Sequence, residues 1–346
     1  MNFKSDNTAP AAPEVMAALA RVNDGVAGNY GDDHVTDRLK AKLSALFEKE
    51  VAVFPVATGT AANALSLAHL TPPHGAVFCH EGAHIHVDEC GAPEFFSQGA
   101  KLVPLKGARG KVTPDAVKAA FALHQRGVVH HAQPATISIT QATELGTCYS
   151  LAEIESLAHF AKAEHLALHM DGARLANAIA HLKCTPAEAT WKAGVDALSF
   201  GFTKNGAMAA EAVIFFDPKR AADMTYRRKR AGQLFSKMRF LSAQIEAMLD
   251  DGLWLKLAGH ANAMATRLAD GLRAIPGFTL DQRVEANELF VRLPSMAAQK
   301  VLEAAGAKFY EWEPPTEGRP QIRLVCAFST TQAEIDAFLA AAKKIA

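Results

Sequence analysis

The chain has 346 residues, 49% of them hydrophobic, which is long enough for one large core plus a smaller second unit and too long for a single compact pair of layers. Lys plus Arg and Asp plus Glu each number 36, so a formal net charge of +0 gives no electrostatic case for nucleic acid; the one basic run, 227–230, reads as a solvated helix face or a local anion site. The five cysteines, Cys79, Cys90, Cys148, Cys184 and Cys326, are scattered and form no Cys-x-x-Cys pair, which argues against a disulfide framework and a thiolate metal site.

Residues 1–7 show no apolar segment after a basic start, and no apolar run is long enough to span a bilayer. A cytoplasmic protein without membrane or nucleic-acid partners is expected, and no metal is expected in it. Short apolar runs then alternate with helical periods. Strands are predicted over 51–56, 76–79, 101–104, 136–140, 166–170, 196–200 and 212–216, with a helix over 60–70 after the first. This alternation predicts a large, mostly parallel sheet wrapped by helices, with the active site at the strand ends. From 221 to 249 a basic helical stretch is predicted, followed by a long Ala-rich helix over 253–272. Two further strands, 288–293 and 321–326, alternate with helices over 295–305 and 331–345, the pattern of a small α/β domain. The expected organisation is an N-terminal arm over 1–20, a large cofactor-binding domain over 21–250 and a small C-terminal domain over 251–346. The proline-rich segment 313–320 reads as an exposed loop.

Four segments carry chemistry. Thr58-Gly59-Thr60 follows the first strand and opens a helix, where glycine permits a sharp turn and the free N–H groups and positive dipole end make a phosphate cradle. Taken alone it is also an ordinary strand–helix turn with a threonine cap. His84 and His86 stand two apart after the strand over 76–79, a spacing that points them in different directions on a helix and disfavours a shared metal. Asp171 closes an apolar strand in His169-Met-Asp171-Gly-Ala-Arg174, and a carboxylate there keeps a pyridine nitrogen protonated. The guanidinium fork of Arg174 suits an amino-acid carboxylate. Lys204 stands at the tip of the next strand in Thr203-Lys204-Asn205-Gly206, placed to form a Schiff base. Alone, Lys204 reads as a surface lysine and Asp171-Gly172 as a turn; in this order along one chain the four indicate pyridoxal 5'-phosphate. His130, His131 and His169 stay unassigned.

In order and spacing these residues resemble the low-specificity L-threonine aldolases of the pyridoxal-phosphate fold-type-I (aspartate aminotransferase-like) superfamily, close to the β-eliminating lyases. The matching segments are Ser5-Asp6-Asn7, 29–33, Thr58-Gly59-Thr60, Ala83-His84, 169–174, 203–206 and 322–325. The resemblance implies a Schiff base at Lys204, ring-nitrogen pairing by Asp171, ring stacking by His84, and phosphate contacts from Thr58, Gly59, Thr60 and Thr203. It implies substrate-carboxylate contacts from Ser5, Arg174 and Arg323, with Tyr30 (toward the substrate) and Lys237 (toward the cofactor) contributed across the interface of a homodimer or homotetramer. Where the best-known branch has Glu-Asn-Thr-His-Asn, whose histidine approaches the substrate hydroxyl, this chain has Thr140-Gln-Ala-Thr-Glu144-Leu-Gly146. Its lysine loop is Thr-Lys-Asn-Gly where many members have Ser-Lys-Gly. Both features are similar to a second branch that includes phenylserine aldolases.

The implied activity is cleavage of L-threonine, L-allo-threonine or a related L-3-hydroxy amino acid to glycine and an aldehyde. His84, His86 or a phosphate-held water are the candidates for the base at the β-hydroxyl. Two other readings stay open: β-elimination or transamination on the same scaffold, and a non-catalytic protein that binds ligand without turnover.

Overall fold

The computed structural model describes residues 1–345. Among them the apolar runs become a seven-stranded sheet: β1 (Ala52–Val56), β2 (Gly75–His80), β3 (Lys101–Leu105), β4 (Gln133–Thr140), β5 (Ala167–Gly172), β6 (Ala197–Gly201) and β7 (Glu211–Phe215), in spatial order β1-β7-β6-β5-β4-β2-β3. Strands β3, β2, β4, β5 and β6 are parallel neighbours, while β7 pairs antiparallel with both β6 and β1. Every position of β5, β6 and β7 is buried, because helices cover both faces of the sheet there. Strand β3, at one edge, exposes Lys101 and Pro104, and a residue without an N–H is tolerated at such an edge.

The second sheet is antiparallel, β10 (Tyr310–Glu311), β11 (Gln321–Val325), β9 (Glu288–Arg292) and β8 (Thr279–Leu280), in that spatial order. Helices Leu253–Arg273, Met296–Ala304 and Gln332–Ala342 accompany it, and Leu268, Leu272, Leu289, Ile322, Leu324 and Phe338 form its core. The two-residue strands β8 and β10 are too short for any hydrophobic period to announce them. The basic stretch predicted over 221–249 is not one helical run. It divides into Met224–Arg230 and Arg239–Leu249, interrupted at Gly232, whose φ of +72° leaves the helical region. No helix among the described residues is long and apolar enough to cross a membrane.

Residues at the N-terminus tie the two sheets together. Phe3 donates its N–H to Lys308 O and accepts at its carbonyl from Val325 N, and its ring meets Phe338 edge-on at 5.4 Å. Farther on, Ala12 N donates to Gly206 O at 2.8 Å, next to the lysine turn. Residues 5–7 therefore cross at the boundary between the sheets.

Strand register brings the chemistry-bearing residues to one edge. Thr140 pairs with Asp171 and Asp171 with Ser199, so β4, β5 and β6 reach the same level at their carboxyl ends. Val56, the last residue of β1, stands opposite Glu211, the first of β7. The turns after β1, β4, β5 and β6 thus open on one crevice, the place where ligands bind parallel α/β sheets.

Below that edge His169 of β5 is fully buried, its Nδ1 paired with Ser138 Oγ at 2.9 Å and its Nε2 with Ser199 Oγ at 3.0 Å. Burial pushes the imidazole down to about 4 from its ordinary 6.5. An unfolded chain takes up this proton below pH 6.5 and the folded chain does so only near pH 4, so stability is complete above 6.5 and is lost as pH falls through that window. The loss attributable to this residue is roughly 3 kcal/mol. Urea midpoints measured from pH 7 to pH 4 should fall more steeply in the wild type than in His169→Gln, by up to one proton's worth of slope.

Candidate active site

The turn bearing Lys204 is built by its neighbours. After β6, Phe202 N donates to Glu211 Oε2 at 2.7 Å, and the 3-10 turn Thr203–Asn205 is anchored by Asn205 Nδ2 donating to Trp254 O at 2.8 Å. Gly206 ends the turn at φ +122°, a conformation that side-chain-bearing residues rarely adopt. Lys204 then lines a cleft together with Thr58, Gly59, Thr60, Asn63, His84, Glu89, Glu144, Asp171, Arg174 and Thr203, among others.

Asp171 is buried, with Oδ1 accepting from Ala173 N at 2.9 Å and Oδ2 from Asn63 Nδ2 at 2.7 Å. The same amide nitrogen donates to Glu89 Oε1 at 2.8 Å, and Glu89 Oε1 lies 2.9 Å from His84 Nδ1. A continuous chain Asp171–Asn63–Glu89–His84 results. Burial raises Glu89 above the ordinary carboxyl range, and the hydrogen bond to Glu89 raises the His84 imidazole, so His84 holds its proton to higher pH than a free histidine. This arrangement fixes the ring with Nδ1 inward on Glu89.

In the same cleft, Thr58 caps the helix Gly59–Leu70 by accepting from Ala61 N at 3.1 Å. The N–H groups of Gly59 and Thr60, in the first turn, have no intrahelical acceptor, and a Cβ added at Gly59 meets nothing within 4 Å. An anion therefore has both donors and space there. Thr203 accepts from Ala210 N at 3.3 Å beside the same cleft.

Arg174 is engaged by two carboxylates. Its Nε and Nη2 donate to Asp6 Oδ2 and Oδ1 at 2.7 and 3.0 Å, and Nη2 lies 3.2 Å from Glu288 Oε1. Burial opposes the charge on Asp6, but the Arg174 guanidinium outweighs it and holds that carboxyl below its ordinary range. Arg323 completes the group at 3.8 Å from Glu288, under the rings of Tyr310 and Trp312 at 5.3 and 5.0 Å. Ser5 lies one residue away from Asp6, its Oγ accepting from Asn7 N and donating to Asp6 Oδ1.

The cleft of one chain therefore brings together Thr58, Gly59, Thr60, His84, Asp171, Arg174, Thr203 and Lys204, and Ser5, Tyr30, Lys237 and Arg323 are not among its lining residues. Ser5 and Arg323 stand behind Asp6 and Glu288. Tyr30 and Lys237 lie together elsewhere: both are exposed, Tyr30 N donates to Ser236 O at 3.0 Å, and Lys229 Nζ sits 4.8 Å from the Tyr30 ring. His86 is exposed.

Several cleft residues had no role assigned from sequence. Asn63 and Glu89 stand a few positions beyond two motif segments; Asp6, which engages Arg174 and does not itself line the cleft, stands inside a third. Glu144, in the segment Thr140–Gly146 that departs from the best-known branch, accepts from His84 N at 2.9 Å and Thr140 Oγ1 at 2.8 Å, and burial pushes it up to about 7. Glu211 is pushed up to about 7 by burial too. Its signal was a carboxylate opening an apolar strand, a pattern Glu288 shares.

Residues 2–295 match the beta-eliminating lyase family. The chain is 44% identical over 333 residues to the low specificity L-threonine aldolase of a Pseudomonas species, covering 96% of this chain and 94% of that protein. It is 45% identical over 328 residues to the protein of the same name from Pseudomonas aeruginosa, covering 95% and 93%. Among solved structures, threonine aldolase from Leishmania major superposes with a TM-score of 0.94 at 28% identity over 99% of both chains. Serine palmitoyltransferase from Sphingomonas wittichii, with a TM-score of 0.73 at 14% identity over 99% of this chain and 86% of that one, shares the fold, which is fold type I.

The Arg174 group generates a stability prediction. Removing one partner of a buried ion pair costs about 3–5 kcal/mol because the other charge is left uncompensated, and Glu288 remains to offset part of that for Arg174. Asp6→Ala should therefore lower the unfolding free energy by roughly 3 kcal/mol at pH 7, read from urea denaturation.

Proposed function

The chain belongs to the beta-eliminating lyase family and, within it, to the low-specificity L-threonine aldolases, and from that premise we propose that it cleaves L-3-hydroxy amino acids to glycine and an aldehyde with the help of pyridoxal 5'-phosphate. L-threonine, L-allo-threonine and L-phenylserine are the substrates this reading covers. The observation that carries it is the convergence of Asp171 and Lys204, at the ends of adjacent parallel strands, on one cleft that also takes in a helix N-terminus with free N–H groups.

The donor set fits that cofactor. An amine, a buried carboxylate and an anion cradle with open space before Gly59 stand in one cleft. When bound, pyridoxal phosphate supplies an aldehyde that condenses with amines and a protonated ring that takes up electrons released from bonds at the substrate's α-carbon. Lys204 provides the amine that holds it. Asp171, oriented by Ala173 N and Asn63, keeps the proton on the ring nitrogen through a charge-assisted hydrogen bond. Gly59 and Thr60 N–H groups, with the hydroxyls of Thr58 and Thr203, would hold the phosphate, and His84 would cover the ring.

Arg174 binds the substrate carboxylate. Asp6 and Glu288 engage its Nε and Nη2, which orients the guanidinium and leaves Nη1 as the donor for the ligand. Fixing the carboxylate would limit rotation about the α-carbon and so select which of its bonds is presented for cleavage. Arg323 and Ser5 support this clamp through Glu288 and Asp6. In this reading the protein is at least a dimer, and the exposed pair Tyr30 and Lys237 serves the cleft of a neighbouring subunit.

The family name also covers β-elimination, and product analysis separates the two. With pyridoxal phosphate added, the protein should release aldehyde and glycine in equal amounts from at least one of L-threonine, L-allo-threonine and L-phenylserine, and Lys204→Ala should abolish this. A keto-acid product in place of glycine, or no product from any of the three despite bound cofactor, overturns the aldolase reading.

A further inference from the structure

Aldol cleavage requires a group that takes the proton of the substrate's β-hydroxyl, and the identity of that group has meaning only if the chain is an aldolase. As the O–H bond breaks, its electron pair forms the aldehyde C=O, and the Cα–Cβ pair is left on the α-carbon. That carbon later takes one proton to become glycine, so the reaction balances with the proton from the hydroxyl and needs no external acid. Histidines are the first residues to consider. His86 is exposed and outside the cleft, and Nδ1 of His84 is committed to Glu89.

We propose that Glu144 is this base, receiving the β-hydroxyl proton on its carboxylate. The residue lines the cleft with Lys204, Asp171 and Arg174. Its Oε1 is held by two donors, His84 N at 2.9 Å and Thr140 Oγ1 at 2.8 Å. Its Oε2 is buried and has no hydrogen-bond partner. A buried carboxylate oxygen left without a donor is unfavourable, and a substrate hydroxyl supplies the missing donor once the side chain turns Oε2, closed to solvent here, toward the cleft it lines.

Protonation behaviour agrees with this geometry. The carboxyl is pushed up to about 7, first by burial, with Asp171 adding a smaller push in the same direction, and a general base is most effective when it titrates near the working pH. His84, raised by its bond to Glu89, holds its proton to higher pH than a free histidine. Around Glu144 the ionisable neighbours are His84, Asp171 and Arg174, with the Cys79 thiol and the Tyr149 phenol both pushed upward by burial. Of these only Arg174 is cationic near neutral pH apart from a protonated His84.

Glu144→Gln separates a base from a merely structural residue, because the amide oxygen still accepts from His84 N and Thr140 Oγ1 while the proton acceptor is gone. Three measurements are made on cofactor-loaded wild type and E144Q: cofactor affinity by absorbance titration, exchange of the glycine α-proton in D2O by NMR, and aldehyde release from the best substrate across pH. Glycine exchange involves no β-hydroxyl. We expect cofactor affinity and exchange to stay within about threefold, aldehyde release to fall roughly 10²- to 10⁴-fold, and the acidic limb of kcat/KM near pH 7 to disappear. Glu144→Asp should restore part of the cleavage. If E144Q cleaves within about tenfold of wild type, or loses exchange and cleavage together, Glu144 is not the base. A wild type that exchanges glycine but releases no aldehyde from any of the three substrates overturns the aldolase reading itself, a result distinct from an active wild type with an active E144Q.

Discussion

Two buried carboxylates, Asp171 and Glu89, share one amide, and the rest of the cleft is arranged around that constraint. Each hydrogen of Asn63 Nδ2 goes to a different acid, at 2.7 and 2.8 Å, so the side chain is committed in both directions. Buried charges demand partners, because desolvation costs several kcal/mol per ion. Glu89 meets this by binding His84 at 2.9 Å, and His84 in turn donates its backbone N–H to Glu144. Asn63 stands on the helix whose first turn forms the anion cradle, so the spacing between that cradle and Asp171 is set by one helix and one strand end.

A second charge group defines the other side. Asp6, Arg174, Glu288 and Arg323 come from the N-terminal segment, the turn after β5, β9 and β11, and they contain two acids and two bases. The set is balanced in formal charge, and it links the large sheet to the small one. The aromatic packing of Phe47, Phe200, Phe202 and Trp254 holds β6 and the helix Leu253–Arg273 in fixed relation. Displacing that helix would move Asn205, and with it the backbone that carries Lys204.

The cleft thus holds more carboxylates than a cofactor and one substrate require: Asp171, Glu89, Glu144 and Glu211 all line it. Their environments differ. Asp171 accepts from two donors, while Glu144 and Glu211 are pushed up to about 7 by burial and Glu89 rises as well.

Much of this was legible in the linear chain. Apolar runs of strand length ending in Thr58-Gly59, Asp171 and Thr203-Lys204 located β1, β5 and β6 and put their chemistry at the strand ends, because a period-two or fully apolar run and a turn residue are local properties. The same residues carried the family likeness. What folding alone decided was partnership: Asn63 reaches Asp171 across 108 positions and Arg174 reaches Asp6 across 168, distances over which no periodicity operates. Strand register, crossover packing and the return of the N-terminal segment set those contacts, and so it was tertiary structure that made Glu89, Glu144 and Glu211 members of the cleft.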